Sequence, residues 1–231
     1  MPTIEAVLFD FGGTLDADGA RWSVRFHQGY RELSGGLALP AFEEIFRDVD
    51  RRLGRVPGIA RMGFRAMVET ESQLLVSELP DGAKIPAEEL AARFCGRAVR
   101  TVRRNIPLLE RLAVRWPLGI ISNFTGNLER CLEELELRKY FRLVVDSAVV
   151  GREKPDPQLF LDACAVLGTE ALCTWMVGDN PEADIRPALQ LGMSACWVTE
   201  ATRRTPDGLG PAVRIEQLPE LELLLESACT V

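Results

Sequence analysis

Short apolar runs alternate with amphipathic segments along most of this chain. The runs are typical of buried strands, and the segments repeat their apolar residues every three to four positions, as on one face of a helix. Predicted strands cover residues 4–9, 118–122, 143–145, 173–177 and 193–198. Predicted helices cover residues 107–113, 128–137, 158–167, 182–191 and 219–228. Strands that alternate with helices favour an α/β fold, a Rossmann-like doubly wound parallel sheet with helices on both faces.

Residues 17–104 interrupt this alternation. Helical patterns near 20–34, 40–54, 62–79 and 86–104 follow one another there, separated by glycine-containing turns. We therefore predict two domains: an α/β core of residues 1–16 and 105–231, and an all-helical insertion of residues 17–104. An insertion directly after the first strand either closes over a site at the strand ends or only packs beside the sheet.

Composition restricts the classes of partner. The 231 residues are 47% hydrophobic and 26% charged, with a net charge of −7 and no basic run, so nucleic acid and anionic membranes are not expected partners. No stretch approaches membrane-spanning length, and the chain enters its first strand at once rather than through a signal peptide. We therefore expect a cytoplasmic protein; no pattern indicates an oligomeric state.

Acid–base chemistry in this chain falls chiefly to carboxylates. His27 is the one histidine, so a His-rich metal site is excluded and a Ser-His-Asp triad would have to include it. The six cysteines are scattered without a CxxC pair, which argues against a zinc site or a disulfide framework.

Four polar motifs lie at or near the ends of predicted elements. Because ligands of parallel sheets bind at the carboxyl ends of the strands, we expect these motifs to meet there. A carboxylate at such an end, beside a glycine turn, suits a nucleophile or a metal ligand. The motifs are Asp10-Phe11-Gly12-Gly13-Thr14-Leu15, Ile120-Ile121-Ser122-Asn123, Gly151 to Pro157 with Lys154, and Trp175 to Asp184 with Asp179.

In order and residue type, the four motifs resemble those of the haloacid dehalogenase (HAD) superfamily, whose members are mostly phosphatases. The family's first motif is normally DxDxT, its second a Ser or Thr after a strand, its third a Lys before Pro, and its fourth GDxxxD or a close variant. The resemblance runs from Ile4 to about Glu226 and implies a HAD core with a helical cap of the C1 type over residues 17–104. A cap would exclude water from the site and select the substrate.

The resemblance implies a Mg²⁺-dependent phosphatase that acts on a small phosphorylated metabolite. In the family, the carboxylate matching Asp10 attacks phosphorus and forms an aspartyl-phosphate, which water then cleaves. Asp10 and Asp179 would offer Mg²⁺ the hard oxygen ligands that it prefers. In the family, the residue matching Gly12 adds its backbone carbonyl as a further metal ligand.

Further residues are candidates for contact with the phosphate. The Ser122 hydroxyl and the amides from Asn123 onward can donate hydrogen bonds to phosphate oxygens. Lys154 is expected to be catalytic, because a compact ammonium suits the space between nucleophile and phosphate. Thr14 is a further candidate for phosphate binding, and we expect its hydrogen bonds to order the loop after the nucleophile. Asp184 is expected to hold Lys154 or a metal-bound water, or alternatively to supply a negative charge at a helix N-terminus.

Gly12 departs from the family pattern, because the phosphatases carry a second Asp there that protonates the leaving alcohol and then activates water. General acid–base catalysis is typically worth ~10²–10⁴-fold in rate. The nucleophile, the metal and the hydrogen-bond donors to the phosphate supply the larger, electrostatic share of the rate enhancement. We therefore expect a slowed phosphatase that favours good leaving groups. Asp16 and Asp18 follow closely and are candidates to replace the missing acid.

The sequence also allows three other interpretations of the function. A catalytically impaired HAD-fold protein that binds or regulates would also lack the acid–base residue. The dehalogenases of the family carry an aromatic residue at the position of Gly12, use no metal and lack the acid matching Asp179. Its phosphonate-cleaving members need a cap lysine, for which only Lys84 is available.

Residues near the start of the helical insertion are candidates to line a substrate cavity. The alternative is a solvated helix face with one packed aromatic. The candidates are Arg21, Trp22, Arg25, His27 and Tyr30.

Overall fold

The structure is a computed structural model that describes residues 3–210 and 212–229. Its strands are β1 (Ala6–Phe9), β2 (Leu118–Ser122), β3 (Leu143–Asp146), β4 (Thr174–Gly178), β5 (Ser194–Val198) and β6 (Val213–Ile215). They form one parallel sheet in the order β3-β2-β1-β4-β5-β6. The order reverses direction around β1, which makes the sheet doubly wound and confirms the predicted α/β fold.

Strand β1 lies at the centre of the sheet and is fully buried. Its side chains alternate between two apolar clusters: Val7 and Phe9 pack into one, and Leu8 packs into the other. A strand covered by helices on both faces reads as a continuous apolar run, which is why its sequence shows no polar alternation.

The α-helices flank the sheet and build the insertion. They are α1 (Trp22–Glu32), α2 (Leu39–Leu53), α3 (Phe64–Glu78), α4 (Ala87–Arg115), α5 (Leu128–Glu134), α6 (Ser147–Val150), α7 (Pro157–Leu167), α8 (Arg186–Gln190) and α9 (Leu221–Cys229). The apolar faces of α1 to α4 join the same cluster as Phe9, through residues such as Phe26, Phe42 and Phe94. In the part of the chain that the structure describes, no helix combines the length and apolar character needed to cross a membrane.

Helix α4 corrects the prediction of two separate helices over 86–104 and 107–113. It is continuous, and Pro107 lies inside it. A proline in a helix removes one backbone hydrogen bond, but the residues on both sides of it are held by burial: Val102 before it and Leu108, Leu109 and Leu112 after it. The helix therefore crosses residue 105, and the division of the chain there into core and cap stays a prediction.

Two further elements differ from the sequence-based expectation. The predicted helix 182–191 begins with a π-helical turn, Pro181–Ile185, before α8. The edge strand β6 was not predicted, because its three residues are too few for a recognisable pattern.

Candidate active site

Asp10 lies at the carboxyl end of β1 and is held there by the sheet. Its backbone N–H donates to the carbonyl of Val177 on β4 at 2.9 Å. Its Oδ1 accepts hydrogen bonds from Lys154 Nζ at 2.7 Å and from Ser122 Oγ at 3.0 Å. The registers of β1, β2 and β4 thus bring residues from three motifs together, as the sequence predicted.

Lys154 is buried and lies between two carboxylates. Its Nζ is 2.7 Å from Asp10 Oδ1 and 2.6 Å from Asp184 Oδ1. Burial alone would lower the pKa of this lysine, but the negative charges of Asp10 and Asp184 raise it, so the ammonium stays charged. The Asn123 side chain fixes the Lys154 backbone: its Oδ1 accepts from Lys154 N at 2.8 Å and its Nδ2 donates to Lys154 O at 2.9 Å.

Asp179 and Asp184 complete a buried acidic group beyond the end of β4. Burial, followed by the charges of Asp10 and Asp184, raises the pKa of Asp179 well above its usual range. Burial also raises the pKa of Asp184 to about 6, although Lys154 opposes this shift. Asp184 Oδ2 accepts from Asn180 N at 3.0 Å, so both of its oxygens are engaged.

This acidic group fits a divalent cation. One oxygen each of Asp10, Asp179 and Asp184 lie within 4.8 Å of one another, and all three residues are buried. Lys154 alone leaves these carboxylates with excess negative charge, and hard oxygens with a small separation are what Mg²⁺ requires. Asp179 is the least engaged of the three: among the residues that the structure describes, its carboxylate has a single side-chain hydrogen bond, from Thr14 Oγ1 at 3.5 Å.

The two glycines after Asp10 have different surroundings. Gly13 has a φ of +99°, and a Cβ there would lie 2.6 Å from the carboxylate of Asp179, so only glycine fits. A Cβ on Gly12 would instead meet the indole of Trp22, with Nε1 at 3.1 Å. The Trp22 ring from α1 therefore lies against the side-chain position that Gly12 leaves open.

Asp16 and Asp18 are not free to replace the missing acid, which corrects that expectation. Asp16 is fully buried; its Oδ1 accepts from Gly13 N at 2.7 Å, and its Oδ2 accepts from Arg25 Nη1 at 2.6 Å and Trp22 Nε1 at 3.1 Å. Asp18 forms an ion pair with Arg104 at 2.5 Å. Neither acid lines the cavity described next.

A cavity of about 470 Å³ opens above the acidic group, within the size range of small-molecule sites. The α/β sheet and its loops line one side of this cavity with predicted site residues: Asp10, Gly12, Ser122, Asn123, Lys154, Asp179 and Asp184. Thr14, also predicted, is fully buried outside this lining, with its hydroxyl towards Asp10 and Asp179 at 3.4 and 3.5 Å. That position fits a residue that orders the loop better than one that touches substrate.

The insertion forms the other side of the cavity. Of the candidates near its start, Arg21 and Trp22 line the cavity, whereas Arg25, His27 and Tyr30 do not. Arg25 is ion-paired with Asp16, and the His27 ring contacts the Leu37 carbonyl through Nε2 at 2.9 Å. Tyr30 donates to Asp81 at 2.6 Å and is buried.

Sequence reasoning missed residues from α2, from the position directly after it and from α3 that line the same cavity. They are Phe46, Asp50, Arg51, Leu53, Gly54 and Met67. Which face of a helix meets the core depends on packing, so no local signal marks them. Asp146, an acid directly after the predicted strand 143–145, does not line the cavity; it accepts from the N–H groups of Gly126, Leu128 and Ala148 and so holds the loop after β2.

Comparison with known proteins agrees with this geometry. Over 96% of this chain and 92% of its own length, a phosphoserine phosphatase of Thermus thermophilus is 30% identical. The pyrimidine 5'-nucleotidase YjjG of Escherichia coli is 35% identical, but the match covers only 52% of this chain and 54% of that protein. Among solved structures, a 2-haloacid dehalogenase of Pseudomonas syringae is 25% identical, with a TM-score of 0.57 over 98% of this chain and 100% of that one.

The family profile that matches this chain covers most of its length. It describes haloacid dehalogenase-like hydrolases and spans residues 4–192, which include all four motifs. The sheet order, the convergence of the motifs at the strand ends and this match lead to one conclusion: the chain belongs to the haloacid dehalogenase-like hydrolases.

Proposed function

We propose that this protein is a Mg²⁺-dependent phosphatase that acts on small phosphorylated metabolites through an aspartyl-phosphate on Asp10. One observation carries the proposal: Lys154 lies between Asp10 and Asp184, with Asp179 alongside, at the floor of a cavity of about 470 Å³. Two phosphatase-named relatives support phosphoryl chemistry over other hydrolysis.

In this mechanism Asp10 attacks phosphorus, and the leaving group departs with the electron pair of its bond. Ser122 and Lys154 hold Oδ1 of Asp10, which directs the carboxylate towards the cavity. Mg²⁺ held by Asp10, Asp179 and the Gly12 carbonyl would neutralise charge on the phosphoryl group. Water then attacks the phosphorus of the aspartyl-phosphate and releases phosphate and free Asp10.

Gly12 removes the proton donor for the leaving group, and the nearby Asp16 and Asp18 are engaged by other residues and do not replace it. Trp22 lies against that position, and its Nε1–H already donates to Asp16. Leaving groups that are stable as anions need little protonation. We therefore propose that the enzyme prefers acyl and aryl phosphates to alkyl phosphates.

The test is kcat/KM for a series of aryl and alkyl phosphates of graded leaving-group acidity, with and without Mg²⁺. Because kcat/KM reports on formation of the aspartyl-phosphate and not on its hydrolysis, it should rise as the leaving group becomes more acidic. A flat or reversed dependence would contradict the proposed role of Gly12. Activity unchanged by Asp10→Asn would reject the nucleophile.

A protein that binds or regulates without turnover is the alternative that the loss of the acid–base residue favours. It would bind phosphate compounds, or stop at the aspartyl-phosphate, because the same missing group also activates water. Intact-protein mass spectrometry after reaction with an acyl phosphate separates these cases. A persistent phosphoryl adduct on the wild type, absent from Asp10→Asn, without continued phosphate release, would support the alternative.

The contact between Trp22 and Gly12 favours a second candidate, haloacid hydrolysis. The dehalogenases carry an aromatic residue at the position of Gly12, and here an aromatic ring from α1 lies beside it. Asp179 weighs against this candidate, since metal-free dehalogenases lack that acid. Halide release from a haloacid in the presence of EDTA, without phosphatase activity, would favour it.

A further inference from the structure

Asp50 stands out among the charged residues that line the cavity from the insertion. Arg21 is ion-paired with Glu43 at 2.8 Å, and Arg51 is ion-paired with Asp48 at 2.7 Å. Asp50 forms neither a hydrogen bond nor an ion pair with any residue in the described ranges 3–210 and 212–229. The uncommitted charge on this side of the cavity is therefore negative.

The surroundings of Asp50 make this charge costly. The Asp50 side chain is exposed, and it lines the cavity. Desolvation by the surrounding protein raises its pKa. Glu71 on α3 is fully buried and close enough that the charge of Asp50 contributes to raising its pKa. A carboxylate that lines a cavity, is partly desolvated and has no partner gains from a cationic ligand.

We propose, building on the phosphatase activity above, that the substrates are monophosphates that also carry a protonated amine, and that Asp50 binds this ammonium group. The phosphoryl group would lie at Asp10 and Lys154 on the floor, and the ammonium at the opposite, α2 side of the same cavity. Glu153 also lines the cavity, from the core side beside Lys154, and is exposed. It is the competing position for the ammonium group and needs its own variant.

The test compares tyramine phosphate with para-propylphenyl phosphate. The two compounds share a phenolic leaving group and nearly the same shape, but end in an ammonium and a methyl group respectively. The ratio of their kcat/KM values therefore measures recognition of the cation, whatever the rate of the chemical step. We expect a ratio of about ten for the wild type, typical of a charge-assisted hydrogen bond that is partly exposed.

Asp50→Asn keeps the size of the side chain and removes its charge, so the ratio should fall to about one. Glu44→Gln on the same helix is the matched control, because Glu44 is exposed and outside the cavity lining. It should leave both the ratio and turnover of para-nitrophenyl phosphate unchanged. Para-nitrophenyl phosphate has no amine and reports on the phosphatase activity alone.

Three results would overturn the inference: a wild-type ratio of one or less, a ratio that Asp50→Asn does not change, or a ratio lost in Glu153→Gln instead. In each, turnover of para-nitrophenyl phosphate shows that the phosphatase itself is intact. If neither aryl phosphate is turned over, the proposed function fails. The ratio of dissociation constants of the two compounds, measured by calorimetry with wild type and Asp50→Asn, then decides the inference separately.

Discussion

Glu71 on α3 is fully buried, and both of its carboxyl oxygens lack a hydrogen-bond partner among the residues that the structure describes. Burial, followed by the charge of Asp50, raises the pKa of Glu71 well above its usual value of 4.5. We predict that the folded protein holds the Glu71 proton to a higher pH than the unfolded chain does. Replacing it by Gln, which has the same shape and never ionises, should remove a pH-dependent loss of stability.

The sign and size of the effect follow from proton binding. Above pH 4.5 the unfolded chain releases the Glu71 proton, whereas the folded protein retains it up to its raised pKa. The free energy of unfolding therefore falls as pH rises, by about 1.4 kcal/mol per pH unit within this window.

Urea unfolding of wild type and Glu71→Gln at several pH values between 4.5 and 7.5 measures this difference. The variant should gain stability relative to wild type as pH rises, by up to about 1.4 kcal/mol per pH unit while the folded wild type holds the proton. A difference in the free energy of unfolding that is the same at every pH reflects burial of the Gln amide and not the ionisation of Glu71. Glu69→Gln on the same helix is the matched control. Stability curves of wild type and Glu71→Gln that stay parallel with pH would refute the reasoning.

Two further predictions concern the cavity floor. Lys154→Met leaves two buried carboxylates without their cation, so it should lower the free energy of unfolding by about 3–5 kcal/mol in EDTA. The control Lys84→Met changes an exposed lysine and should alter the free energy of unfolding by less than about 0.5 kcal/mol. Equal effects of the two variants in urea titrations would contradict the burial argument. Gly12→Asp should restore part of the ~10²–10⁴-fold acid–base contribution towards alkyl phosphates only together with Trp22→Leu, which clears the indole at 3.1 Å. The readout is kcat/KM for an alkyl phosphate, with Trp22→Leu alone as control, and no gain in the double variant would mean that another group limits the rate.

The meeting of the three motifs at the ends of β1, β2 and β4 was predictable, because it depends on topology alone. Strands that alternate with helices give a parallel sheet, and residues directly after such strands share one edge. Asp10 and Asp179 each follow a recognisable apolar run, so their proximity needed no knowledge of packing. Lys154 is different: it lies in a loop, and its position between Asp10 and Asp184 was anticipated from the family motif rather than from periodicity.

The parts that sequence reasoning missed depend on long-range packing. Pro107 indicated a helix start by local propensity, but burial on both sides kept α4 continuous through it. Asp50 was not recognised because it lies at the border of the apolar face of α2, and only the packing of that helix decides which border residues meet the cavity. Asp16 looked available for catalysis in sequence, whereas its contacts with Arg25 and Trp22 engage it fully.

Gly12 and Trp22 have to be considered together, because each explains the other. With an aspartate at position 12, the indole Nε1 at 3.1 Å from its Cβ would have to shift by a few tenths of an ångström, which would strain its hydrogen bond to Asp16. With glycine, the ring packs against the loop and its one N–H is used by Asp16, so it offers the leaving group no proton. In the proposed mechanism, the floor then keeps the groups that stabilise charge and lacks the group that transfers a proton. Under that proposal, discrimination between substrates comes from the leaving group's own acidity and from the side of the cavity where α1 and α2 supply Trp22, Phe46 and Asp50.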